Sequence, residues 1–249
     1  MPRALRAIVE RFAEVGGVER AMVLAAQAFA TFIPMLVVVV SLVPGSDANG
    51  FGDRVVDRFD LTGSVADSVR ALFAPAGEVT SGITVLGALL VSASAFTFAR
   101  RMQGLYQLSW RLPALPWRAS WRPLVWVVIA MAYFALVPLL RGVDPGHRLL
   151  IGGASFALWL ITPGFLLGGR VPWRALVPTA LLTAVSMALM SAVSTIYMSR
   201  AITESTEQYG PIGTAFAVMS WLVAVGFIIV AAAVVGAVWG ERAGYGRAA

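Results

Sequence analysis

Few residues of this chain could carry acid–base or metal chemistry, and those few are scattered. The single histidine, His147, stands in a short turn beside Asp144, without the further ligands that a metal site gathers. We read it as a solvated turn residue. Cysteine is absent, which excludes a thiol nucleophile, a thiolate metal site and a disulfide. Glu10, Glu14, Glu19 and Glu241 are too dispersed for a two-metal nuclease centre. Asp53, Asp57, Asp60 and Asp67 lie closer together but interleave with Arg54 and Arg58, which predicts a salt-bridged helix face and not a cation site. No Walker-type glycine loop is present. The expectation is a chain that is not an enzyme, with no catalytic residue, no metal and no cofactor.

What the sequence offers instead is arginine. All 19 strongly basic residues are Arg, against 13 acids. Arg100 and Arg101 adjoin, and Arg170 and Arg174 lie one helical turn apart. Such a basic rim suits the anionic head groups of phospholipids. These four are the candidate docking residues for an anionic head group, so membrane lipids are the expected partners. The pI near 10.7 could also point to nucleic acid. Membrane topology explains it better, and no nucleic-acid partner is expected.

The elements that must position these arginines are membrane spans. Hydrophobic residues make up 59% of the chain and charged residues 13%, with a mean hydropathy of +0.80. A soluble domain is about 25% charged. Uncharged runs of 26, 21, 18, 21, 25 and 33 residues lie between charged bookends. A helix needs about 20 apolar residues to cross the hydrocarbon. Continuous apolarity without alternation excludes a barrel. The fold class expected is all-α: a polytopic membrane protein of six transmembrane helices, at about 22–43, 81–99, 123–140, 149–168, 175–198 and 212–239. The first run is too long, and too far from the N-terminus, for a cleavable signal.

Arginine also sets the orientation. With the N-terminus inside, 13 Arg fall on the inner side and 6 on the outer. The loop after the second span holds five Arg and no acid. Positive residues resist translocation, so both termini are expected in the cytoplasm. Residues 1–20 read as a cytoplasmic amphipathic helix with Leu5, Ile8, Val9 and Phe12 on one face, broken at Gly16-Gly17. Residues 21–249 form a single membrane domain. The external loop 45–79 is expected to hold two more short amphipathic helices.

Within the spans polarity is sparse. None contains Asp, Glu, Arg or His, which disfavours a proton- or sodium-coupled pump. Gln27 and Thr31 share one side of the first span, which also holds the kink-forming Pro34. With Tyr209 before the sixth span, they are the candidate substrate path. Small residues repeat at every fourth position: Ala180, Ala184, Ala188 and Ala192, then Ala232, Gly236 and Gly240. These ridges permit close helix packing. We read them as packing within the bundle, with a homo-oligomer interface as the alternative.

Four stretches carry a family likeness. The first is Ala25-Ala26-Gln27-Ala28-Phe29-Ala30-Thr31-Phe32-Ile33-Pro34. The second is Ser94-Ala95-Phe96-Thr97 running into Arg100-Arg101 and Tyr106-Gln107-Leu108-Ser109-Trp110. The third is Val171-Pro172-Trp173-Arg174-Ala175-Leu176-Val177-Pro178. The fourth is Tyr209-Gly210-Pro211-Ile212-Gly213, with Gly236-Ala237 later. In this order and spacing the chain resembles the YihY/BrkB family of bacterial inner-membrane proteins, a group once mislabelled as ribonuclease BN. It departs from the family pattern where Val238 follows Gly236-Ala237, because members often carry Glu there. The nearest acid here is Glu241.

The resemblance implies a place in the bacterial inner membrane and a role in envelope integrity, through transport of lipids or lipid-linked precursors. The leading expectation is a transporter or flippase of such an amphiphile. The alternatives are a non-transporting scaffold for envelope enzymes and a passive small-solute channel.

Overall fold

The computed structural model describes residues 3–42, 53, 56, 63, 66–67, 70, 81–119, 121–141, 146–209 and 211–245. The regular structure among them is helical. Seven α-helices follow in order: α1 Arg3–Glu14, α2 Gly17–Leu42, α3 Ser81–Ser109, α4 Trp121–Arg141, α5 His147–Leu166, α6 Trp173–Tyr209 and α7 Pro211–Arg242. A 3-10 turn, Trp117–Ala119, precedes α4. Within the described residues, Leu149–Leu166, Trp173–Ser194 and Ala215–Arg242 are long and apolar enough to cross a membrane.

Each expected span overlaps a helix, with position 43 outside the described residues and 167–168 past the end of α5, and two helices run well past their expected ends. α3 continues through Arg100 and Arg101 to Ser109. The reason is a second burial stripe: Ala99, Met102, Gln103, Leu105, Tyr106 and Ser109 are all buried. Spacing of three and four residues puts them on one helix face. Arginine there does not mark a helix boundary. α6 likewise continues past position 198 to Tyr209.

Helix ends follow one local device. At the end of α5 the Gly168 N–H donates to the Phe165 carbonyl and the Gly169 N–H to the Gly164 carbonyl. Gly168 has φ +76°, so this is a Schellman cap, in which a left-handed residue lets the chain turn back on its own last carbonyls. α3 closes the same way, through Arg111→Leu108 and Leu112→Gln107 bonds. There the left-handed position is Arg111, at φ +51°, an uncommon conformation for a residue with a side chain.

The chain divides into two compact units. The first comprises Met1–Leu24, Phe96–Ala188 and Val225–Ala249. Its core joins Ala21 and Leu24 of α2, Met102, Leu105 and Tyr106 of α3, Trp126 of α4, Leu166 of α5, Leu176 of α6, and Ile229, Val230, Ala233 and Ala237 of α7. α1 packs on α7 through Ile8 and Phe12, with Val15 just past its end, against Val234 and Val238. The buried face of α1 differs from the expected one. Ile8 and Phe12 turn inward, but Leu5 and Val9 remain exposed and Arg11 is buried.

The second unit comprises Ala25–Ala95 and Leu189–Ala224. Most of the 45–79 loop lies outside the described residues. Its described positions, Asp53, Val56, Gly63, Ala66, Asp67 and Arg70, are helical. Arg70 bridges Asp53 at 2.7 Å and Asp67 at 3.2 Å, while Val56 and Ala66 are buried. Asp53 and Asp67 thus form a salt-bridged face, with Arg70 as the cation.

Candidate functional site

The C-terminal turn of α5 collects cations. A helix end leaves carbonyls without intrahelical partners, and the macrodipole makes that end negative. The Schellman cap satisfies only some of them. Arg122 donates to the Phe165 carbonyl at 2.9 Å, and Arg170 to the Leu167 carbonyl at 2.9 Å. Arg170 also reaches the Pro113 carbonyl at 2.7 Å. The buried Gln103 donates to the Leu166 carbonyl at 3.0 Å and accepts from Arg100 at 3.1 Å. Three guanidiniums from three segments are therefore tied, directly or through Gln103, to one helix turn.

Their electrostatics are unbalanced. Arg122 lies over the rings of Trp121, at 5.1 Å, and Phe165, at 5.4 Å, a cation–π arrangement. Burial, and secondarily the charge of Arg122, push the Arg170 guanidinium below its ordinary value. Among the described residues no carboxylate pairs with Arg100, Arg101, Arg122, Arg170 or Arg174. Arg101 and Arg174 are exposed, the latter over Trp173 at 5.5 Å.

A second polar cluster joins α1, α3 and α7. Arg11 is only 4% exposed. It makes a bidentate pair with Glu241, at 2.9 and 2.8 Å, and donates to the Ser109 carbonyl at 2.6 Å. Glu14 lies 3.4 Å from Arg11 and accepts from Arg111 at 2.7 Å. The Arg111 hydrogen bond holds the Glu14 carboxyl below its ordinary value. The same bond, at the left-handed end of α3, ties that turn to α1.

The remaining candidates fall as follows. Gln27 and Thr31 are half-buried on α2, and the Thr31 hydroxyl donates back to the Gln27 carbonyl at 2.7 Å. Position 34 lies within α2 and Tyr209 ends α6, but the side chains of Pro34 and Tyr209 lie outside the described residues. His147 opens α5, while Asp144 lies outside the described residues. Among the described residues, no three of His, Asp and Glu gather as metal ligands.

The ridge on α7 is buried at Ala232, Gly236 and Gly240. A Cβ at Gly236 would collide with Thr179 and one at Gly240 with Trp110, so both glycines mark close helix packing inside the first unit. On α6, Ala180 is buried and Ala184 half-buried, whereas Ala188 and Ala192 are exposed.

Sequence reasoning did not single out Arg122, Gln103 or Arg11. A signal existed for Arg11: it falls on the helical stripe of Ile8, Phe12 and Val15. A charge inside an apolar stripe must find a partner. No such signal marks Arg122 or Gln103, whose partners are carbonyls 43 and 63 residues away.

No curated protein and no solved structure matches the chain. The likeness carried by the four motifs is matched by a family comparison that spans the helices and both polar clusters. The family described as Virulence factor BrkB matches residues 8–249, and the chain belongs to that family.

Proposed function

We propose that the protein moves an anionic amphiphile, a lipid or lipid-linked envelope component, between the leaflets of the bacterial inner membrane. One observation carries the reading: the three arginines tied to the end of α5, Arg100, Arg122 and Arg170, and the exposed Arg101 and Arg174 have no carboxylate partner among the described residues. Guanidiniums match phosphate and carboxylate oxygens in geometry as well as charge. Arg170 keeps one buried terminal nitrogen, Nη2, without a hydrogen-bond partner among the described residues. Arg100, Arg101, Arg170 and Arg174 form the dock, and Arg122 joins them.

The dock lies on the cytoplasmic side of a six-span arrangement with both termini inside. In this reading the helices act by binding and passing the molecule, without catalysis, and support envelope integrity. Gln27, Thr31, Pro34 and Tyr209 belong to the path. Thr31 contributes little free polarity, because its hydroxyl is bonded to its own helix.

The test is reconstitution in liposomes with head-group-labelled anionic lipid, scored as exchange between leaflets against protein-free vesicles. Exchange should rise with protein dose and fall in the Arg100→Glu/Arg101→Glu variant, whose folding is checked by circular dichroism. Exchange that is indifferent to these substitutions would remove the dock. A second reading, a scaffold for envelope enzymes, draws on the exposed Ala188 and Ala192 of the α6 ridge. A stable partner lost on Ala188→Leu, with the fold intact, would favour it.

A further inference from the structure

A groove of about 410 Å³ lies between α1 and the last turns of α7. That volume is within the range of about 300–1,000 Å³ for clefts that hold small molecules. Its walls are Ala4 and Ile8 from α1 with Val235, Val238, Trp239 and Ala243, and among the described residues its single charged lining residue is Arg242. Arg242 donates to the Arg3 carbonyl at 2.8 Å, which sets the start of α1 beside the end of α7. Neither Arg3 nor Arg242 has a carboxylate partner among the described residues. The neighbouring Arg6 differs, being paired with Glu10 at 2.7 Å. Leu5 and Val9 stay exposed on α1, and Trp239 is 64% exposed on α7.

The occupant follows from these chemistries taken together. Water does not favour an apolar trough lined by an exposed Trp and walled by α1, which also exposes Leu5 and Val9. α7 is one of the helices long and apolar enough to cross a membrane, so its last turns meet acyl chains and then head groups. Indole rings settle at that boundary. Arg242 lines the groove, its neighbour Arg3 begins α1, and neither has a carboxylate partner among the described residues, so this end selects negative charge. We propose that this groove holds an acyl chain of one anionic phospholipid, with its phosphate against Arg242 and Arg3. The lipid is a resident ligand that seats α1 on α7. This site uses none of the docking arginines of the translocation reading and stands without it.

Trp239 is the reporter. The full chain is placed in nanodiscs containing a small, equal fraction of acyl-brominated phosphatidylglycerol or acyl-brominated phosphatidylcholine. Bromine quenches tryptophan on contact, and the Trp239 contribution is the difference between the wild type and Trp239→Phe. We expect Trp239 to prefer brominated phosphatidylglycerol about thirtyfold by quenching titration, as two surface cations would give. The preference should vanish in Arg3→Gln/Arg242→Gln, which retains the Arg3 carbonyl and removes both charges. Circular dichroism and gel filtration check that this variant folds. Equal quenching by the two lipids would overturn the proposal, as would a preference that survives the double substitution. Absence of quenching by either lipid would mean that protein closes the groove, and would also overturn it.

Discussion

Arg11 shows what one charge costs and what it organises. A buried guanidinium is tolerated only when paired and hydrogen-bonded, and here Glu241 and the Ser109 carbonyl meet both needs. Removing one partner strands the other. Arg11→Ala should therefore destabilise the protein by about 3–5 kcal/mol in detergent unfolding. Arg11→Leu/Glu241→Leu should recover most of that loss, because replacing both partners with apolar groups leaves no unpaired charge. A double variant no more stable than Arg11→Ala would show that the pair itself holds α1 down. Glu14 supplies a second prediction at this scale. The Arg111 hydrogen bond depresses its pKa below 4.5, so the native state holds the ionised form preferentially. That contribution is present above pH 4.5 and is lost as pH falls through the lower native value. The melting-temperature gap between wild type and Arg111→Gln should close as pH drops through this window. A gap constant from neutral pH to pH 3 would rule the link out.

At the scale of elements, glycine chemistry decides how closely helices approach. A Cβ at Gly226 of α7 would collide with the backbone oxygen of Ala21 on α2, and its next contacts are also backbone, at 3.1 and 3.3 Å. Backbone cannot rotate aside. Gly226→Ala should cost about 1–3 kcal/mol, the usual penalty for overpacking. Gly104 in α3 has nothing within 4 Å of an added Cβ. Gly104→Ala should therefore stabilise by about 0.5–1 kcal/mol through helix propensity alone. The two are compared by thermal unfolding, and a loss of stability in Gly104→Ala would contradict the open space seen there. The small-residue spacing in the sequence identified the α7 ridge but not its partners. Thr179 and Trp110, the partners of Gly236 and Gly240, lie 57 and 130 residues away in sequence.

For the whole molecule the decisive prediction is orientation. The absence of cysteine makes the chain a ready background for single introduced cysteines. With both termini cytoplasmic, Ala4→Cys and Ala249→Cys should resist a membrane-impermeant maleimide in intact cells and react after permeabilisation. Ser46→Cys, in the external loop, should react in intact cells. Labelling of Ala249→Cys in intact cells would invert the placement of the arginine dock and remove the cytoplasmic entrance on which the translocation reading depends.

The sequence alone determined that this is a helical membrane protein and which family it belongs to. Both follow from local quantities: uninterrupted apolar length, the lack of strand-like alternation, and short motifs in a fixed order. The small-residue ridge of α7 was legible for the same reason, because helical spacing is written in the chain. The extents of α3 and α6 were not. Arginine and apolarity report where a membrane begins, whereas a helix ends where its burial stripe and cap end. The cation cluster on α5 was half legible. Of the four arginines that stood out by type and charge, Arg170 and, through Gln103, Arg100 reach it; Arg122 and Gln103 joined only because the α5 carbonyls lie within reach in space. The burial of Arg11 and the inward turn of α1 were likewise tertiary decisions. An amphipathic helix can bury either of two overlapping faces, and the partners Glu241, Ser109, Val234 and Val238 select the one that satisfies the charge.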